Sequence, residues 1–353
     1  MFGKMMNNYY YGKSGKGDFR KDDMPETRMQ LFWDTLRTRL SGLCRLNLLY
    51  MLIWIPAMVT IFVSSSQIYS NLSMVMVVKN NDYATYVQYV EESGGQVNVT
   101  EEEYNKLKEE EVNLQAYLYN SIFQMLLILF PCIAITGPCT AGISYVTRNW
   151  SRDEHAFIWT DFKDAVKANW KIPLLLSTIT GALPMLVYQG WMTYGRMAES
   201  NMIMIVPQML VVLIGIVWAL CITYMHPLTI TYDLKVSGVL RNGLLLGIAR
   251  LPFSVLIRLL HCVPALIAFV AVWFLGMDLM LGLVLLGAYY AIIGFSLSRF
   301  VTASYTNAVF DRFINPRIEG APVNKGLREK EDDDEDEDEA GEEAGEDNKG
   351  TEG

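Results

Sequence analysis

IMIVPQMLVVLIGIVWALCITYM, residues 203–225, runs for 23 positions without Asp, Glu, Lys or Arg. A hydrocarbon layer about 30 Å thick is crossed by about 20 apolar residues rising about 1.5 Å each. Backbone groups inside that layer find no water, so a helix is the state that satisfies them. Five more stretches read the same way: 46–63, 122–146, 172–194, 259–275 and 279–297. The second is interrupted by Pro131 and by Gly137 and Pro138. Only Gly276, Met277 and Asp278 separate the last two, which predicts a tight antiparallel hairpin. The fold class expected is an all-α, polytopic membrane bundle of six transmembrane helices.

Composition agrees. Of 353 residues 52% are hydrophobic and 19% charged, below the quarter or so that soluble domains carry. The formal charge of −9 belongs to one end. From Glu329 onward lie 15 of the 38 acidic and two of the 29 basic residues, so residues 1–328 hold 23 acidic and 27 basic. A disordered chain, a disulfide scaffold and a single soluble core are excluded.

Lys and Arg set the expected orientation. Nine precede residue 46, five lie in 147–171 and four in 232–258. The opposite segments are poorer, with three in 64–115, Arg196 alone between spans three and four, and none in the last hairpin. Both termini are therefore expected in the cytoplasm. The 45 residues before the first span and its 18-residue length exceed the usual signal-peptide pattern, so an uncleaved anchor is expected.

Four segments lie outside the spans. Residues 1–23 read as a mobile N-terminus; their GKSGKG lacks the Gly-x4-Gly-Lys-Ser/Thr spacing of a phosphate loop. Residues 24–45 read as an amphipathic cytoplasmic helix with Met29, Phe32, Trp33, Leu36, Leu40 and Leu43 at helical spacing. That stripe suits either a membrane surface or the protein's own loops. Within the 46–315 membrane domain, residues 64–115 form an extracytoplasmic cap. Asp82 is placed to cap one short helix there, and Thr100 with Glu103 forms a capping box for a second, which is expected to lead straight into span two. Residues 316–353 read as a disordered acidic tail, solubilising rather than docking.

Candidates for chemistry are few. His155, His226 and His261 show no metal-ligand spacing and read as isolated interfacial residues. Cys44, Cys132, Cys139, Cys221 and Cys262 fall in or beside spans and read as packing residues. No catalytic residue, cofactor, metal or nucleic-acid partner is expected. No span core holds an ionisable residue, which speaks against proton-coupled transport. Neutral polar residues (Asn47, Asn120, Gln124, Thr136, Gln189, Gln208) and prolines at 56, 131, 184, 207 and 264 do interrupt the spans. They read as kinks rather than as a solute path.

Several runs resemble the YesL family of bacterial membrane proteins, whose shared domain has no assigned function. They are RLNLLYMLIWIP (45–56), ITGPCTAGISYVTR (135–148), DFKDAVKANWK (161–171), HPLTITYD (226–233), LRNGLLL (240–246) and the NAVFDRF end (307–313). The family-motif positions are Asn47, Pro56, Gly137, Pro138, Thr140, Ala141, Arg148, Phe162, Asn169, Pro227, Asp233 and Asn242; the resemblance assigns them no known role, and structural ones are expected. It covers about residues 28–315; the cap and the acidic tail fall outside the compact family pattern. The resemblance implies a bacterial plasma-membrane protein in a setting of sugar uptake or polysaccharide use. The expected function is a non-enzymatic accessory that binds a membrane transporter complex or a second copy of itself within the lipid bilayer. A facilitator for a neutral solute such as a sugar is the alternative.

The orientation has a direct check. In a cysteine-free variant, a single cysteine at Ser93 should react with a membrane-impermeant thiol reagent on intact cells. One at Thr351 should stay silent until the cells are opened. The reverse pattern would invert the topology.

Overall fold

A computed structural model describes residues 24–109 and 113–328. The expectations for residues 1–23 and for the segment from Glu329 on lie outside the described residues. The described chain is all-α, without a strand. Helices α1 (Arg28–Asn80), α2 (Tyr83–Glu92), α3 (Glu101–Glu109), α4 (Leu114–Ala134), α5 (Thr136–Trp150), α6 (Ile158–Ala168) and α7 (Lys171–Ser200) form the first half. After a 3-10 turn come α8 (Ile205–Thr231), α9 (Val236–Ala249), α10 (Leu251–Phe274), α11 (Leu279–Tyr289), a π-turn (Tyr290–Gly294) and α12 (Phe295–Phe313).

Six of these segments are long and apolar enough to cross a membrane: Arg28–Asn80, Leu114–Ala134, Lys171–Ser200, Met202–Thr231, Leu251–Phe274 and Leu279–Arg317. Their apolar surface is largely uncovered by protein. Leu251–Phe274 buries none of its most apolar window, and Leu266, Ile267 and Trp273 point away from the bundle. Contiguous apolar surface on that scale is untenable in water and is what a lipid-facing helix presents. The architecture is compatible with a multi-pass membrane protein.

Several boundaries differ from the sequence expectation. The amphipathic segment, the first span and the base of the cap are one continuous helix, α1. Thr27 starts it with a capping box closed by Gln30, and Pro56 sits within it on the exposed side. The stripe at its start divides: Phe32, Leu36 and Leu43 pack inward, whereas Met29, Trp33 and Leu40 face out.

Span two is α4 alone. The chain breaks at Ile135, where the Thr136 hydroxyl donates to the Ile133 carbonyl. Pro138 has no N–H to extend the helix backward, so α5 is a separate element. Most of it is buried, and Gly137 is what lets it in. A Cβ there would lie 2.4 Å from the Pro173 carbonyl oxygen at the start of α7.

Two cores meet around α5 and α12. One joins Leu43, Leu46 and Tyr50 of α1 to Ile143 and Trp150 of α5, Phe162 of α6 and Phe300 of α12. The other joins Leu176 of α7, Tyr224 and Leu228 of α8, Val239 of α9 and Phe310 of α12. Beyond α12 the chain turns back rather than leaving as a tail. Arg28 pairs with Asp311 and donates to Asn324, Lys325 pairs with Glu154, and the Arg328 amide bonds the Pro25 carbonyl. These contacts anchor residues up to 328 on the start of α1 and the α5–α6 loop.

The cap forms with the helix starts read from the sequence. The Asp82 carboxylate accepts from the Thr85 amide, and Thr100 and Glu103 bond each other's backbone. Those bonds hold both carboxyls below their ordinary range. Tyr86, Val90 and Tyr104 make its small core, and the Tyr104 hydroxyl donates to the Asn81 carbonyl at the end of α1. No unbroken helix joins the cap to span two, since Asn113 caps a new one at Leu114.

One buried contact shapes the last span. Asn47 on α1 is fully buried. Its amide donates to the carbonyls of Tyr290 at 2.8 Å and Ala291 at 2.7 Å, and its oxygen accepts from the Ser296 amide at 2.9 Å. A π-turn widens the helix and releases backbone groups from their usual partners, and Asn47 collects them. Asn47→Leu should strand three buried backbone groups at about 1 kcal/mol or more each. The thermal midpoint in neutral detergent should fall sharply; an unchanged midpoint would show that the π-turn does not depend on Asn47.

Candidate functional site

Residues from α1, α4, α5, α7, α8, α10, α11 and α12 line a half-open cavity of about 700 Å³. Its two ends differ chemically. One is apolar, walled by Met58, Val59 and Phe62 of α1 and Leu283, Val284 and Leu286 of α11. The other is polar, lined by Thr223 and His226 of α8, Arg258 and His261 of α10, and Ser298, Arg299 and Thr302 beyond the π-turn. Thr136, Ser177 and Thr180 add hydroxyls, two of them committed: Thr136 to Ile133, Thr180 to the Leu176 carbonyl.

Helical geometry places these groups. Arg258 and His261 are three apart and share a face of α10. The π-turn inserts an extra residue into the last helix, which resets the direction of every side chain after it. Phe295, Ser298, Arg299 and Thr302 then face the cavity. His261 Nε2 lies 3.1 Å from the Ser298 carbonyl, which fixes the imidazole against α12. His226 is only 3% exposed, yet its Nδ1 has no partner. Thr223 Oγ1, Trp54 Nε1 and Arg258 Nε are likewise buried without a partner and line the same space. Buried polar atoms of four residues thus cluster in the walls of one cavity.

A second space, about the size of one water, continues from Arg299 and Thr302 to Ser144, Thr147, Arg148 and Asn307. Arg148 is held below its ordinary basicity, first by burial and then by the charge of Arg152.

The histidines divide. His226 and His261 share the cavity, contrary to the expectation of isolated residues, because α10 packs on α8 and His261 reaches the Ser298 carbonyl of α12. His155 lies apart, edge-on to Phe157 in a cleft with Arg39 and Arg45. Two arginines beside the paired imidazoles repel a cation. Among the described residues no group of three or more His, Cys, Asp or Glu is placed to hold a metal. All five cysteines are free thiols.

The family-motif positions surround the cavity without lining it. Asn47 holds the π-turn. Thr140 Oγ1 bonds the Tyr50 hydroxyl at 2.7 Å, fixing a lining residue. Ala141 is buried in α5, and Phe162 lies against Gly142. Pro138 opens α5, Asn169 caps α6 and Asn242 lies in α9. Arg148 and Pro227 line the water-sized space. Pro56 and Asp233 are exposed. Sequence reading took Arg258 as a loop charge and passed over Arg299, because each borders an apolar run, where a charge ends the count. The signal was there in LIRLLH (256–261) and SLSRF (296–300), single arginines set among apolar neighbours.

A bundle of membrane-length helices around an internal cavity with a cationic end is the class of molecule this geometry defines. Over residues 116–191, α4 to α7, the chain matches the family described as "Protein of unknown function, DUF624". The match takes in the Gly-Pro-Cys-Thr-Ala run, Phe162 and Asn169, whereas residues 45–56 and 226–313 lie outside it. No curated protein and no solved structure matches the chain.

Proposed function

We propose that this chain is a non-enzymatic, multi-pass protein of the bacterial plasma membrane, with both termini cytoplasmic, that binds a small molecule in its central cavity. The observation that carries this reading is the cavity itself, lined at one end by two histidines and two arginines. Its volume lies within the range of small-molecule sites, about 300–1,000 Å³. The orientation rests on the Lys and Arg bias between spans. The lining supplies no carboxylate to orient a histidine as a base, which favours binding over catalysis.

Gly287 offers a clean test. A Cβ there would meet only the Met58 methyl at 3.8 Å, so Gly287→Phe fits the backbone and fills the cavity. Protein purified in mild detergent should carry a small molecule visible by mass spectrometry of a denatured extract, and the Phe variant should lose it. Equal occupancy in both proteins, or none in either, defeats the reading.

A second reading has its own observation. Trp33, Phe157, Trp159 and Trp170 are exposed near the basic loops, where aromatic groups suit headgroups or a protein partner. By the YesL resemblance that partner would be the permease of a sugar importer, with this chain as its accessory. Cross-linking in native membranes should then capture a permease through Trp159; capture of lipid alone would remove this reading.

A further inference from the structure

Charge inside the cavity has one sign. Arg258 and Arg299 both line it. No Asp or Glu is among the lining residues, and neither arginine has an ion pair among the described residues. The carboxylate of Asp311, on the same helix as Arg299, lies twelve residues on, about 18 Å along the axis. It is already held by Arg28 and Asn315. Two like charges lining one cavity are costly without a counter-charge, and no carboxylate lines it.

The unpartnered atoms narrow the choice. Arg258 Nε and Trp54 Nε1 can only donate hydrogen bonds, and the Thr223 hydroxyl and the His226 imidazole can donate as well. An oxyanion accepts from the guanidinium groups that line the space and neutralises them. A neutral sugar would meet the donors and leave the charge.

The opposite end of the cavity indicates where such a group comes from. Val59 and Phe62 of α1 and Val284 of α11 line the cavity and keep about half of their surface uncovered. Uncovered apolar side chains of these two helices therefore form the wall at this end of the space. A soluble anion gains nothing from that wall, whereas an amphiphile keeps its tail in hydrocarbon while its head enters. Resting on the cavity reading above, we propose that the site holds the phosphate headgroup of an anionic membrane lipid between Arg258 and Arg299, with an acyl chain leaving between α1 and α11.

The test uses the full chain in neutral detergent, titrated separately with phosphatidylglycerol, phosphatidylcholine, inorganic phosphate and glucose 6-phosphate. Binding is read by native mass spectrometry and by the thermal midpoint. Phosphatidylglycerol should bind as a single retained adduct and raise the midpoint. R258Q and R299Q should each weaken it about tenfold or more, the loss of one charge-assisted contact; R258K and R299K should keep most of it. Without lipid, either Gln variant removes a like-charge repulsion and should melt no lower than the parent chain. V284W, at an exposed wall position, should block binding with both arginines intact and gives an independent arm if a Gln variant fails to fold. Equal binding of phosphatidylcholine, or undiminished binding in R258Q and R299Q, overturns the proposal. Binding of inorganic or sugar phosphate without phosphatidylglycerol overturns the lipid source and makes the ligand a soluble phosphate. If the cavity retains some other molecule, the broader reading stands and this one falls; if Gly287→Phe changes nothing, both fall.

Discussion

Backbone carbonyls inside a bilayer must be satisfied by the protein, and that constraint acts most sharply at the contact between Asn47 and the π-turn. Without Asn47, the widened turn at Tyr290–Gly294 would leave polar atoms bare where water does not reach. With it, the last span can carry one extra residue. That residue rotates everything that follows, so Arg299 faces the cavity and Phe300 faces the core under α1, stacked on Phe32. One amide thus couples the first span to the last and decides which face of α12 is chemical and which is packing.

The inner helix α5 completes this arrangement from the other side. A chain that simply crossed the membrane from Ile122 to Val146 would have filled the bundle with lipid-facing surface. Breaking at Ile135 sends the Thr136–Trp150 segment inward, where Gly137 and Gly142 admit close neighbours and Thr140 steadies Tyr50. Thr136 of α5 reaches the cavity wall, while α1 and α11 supply its apolar end.

Much of the fold is legible in the residues, and what is not has identifiable causes. Uninterrupted apolar runs give the spans directly, because hydrocarbon punishes every charge. Capping signals at Asp82 and Thr100 are local and read true. The end of span two is misread because apolar residues continue past Ile135: composition alone does not tell a lipid-facing helix from one buried in protein. The continuity of α1 is hidden by a change in composition at each membrane boundary, though helical hydrogen bonding ignores composition. The cavity is least legible of all. Its polar atoms come from helices far apart in sequence, and its two arginines sit where a hydropathy count stops. The π-turn that aims one of them has no sequence marker beyond an asparagine some 240 residues away.

The 53-residue length of α1 has a mechanical consequence. At about 1.5 Å per residue it is a strut of about 80 Å, with the cap clamped to one end by Tyr104 and the returning C-terminal segment latched to the other by Arg28. No loop interrupts it to absorb a displacement. A push or twist on the cap is therefore delivered along the strut to Asn47 and the Arg28 latch, with Pro56 as the weakest joint on the way. Two surfaces on opposite sides of the bundle are geared together by a single rigid part.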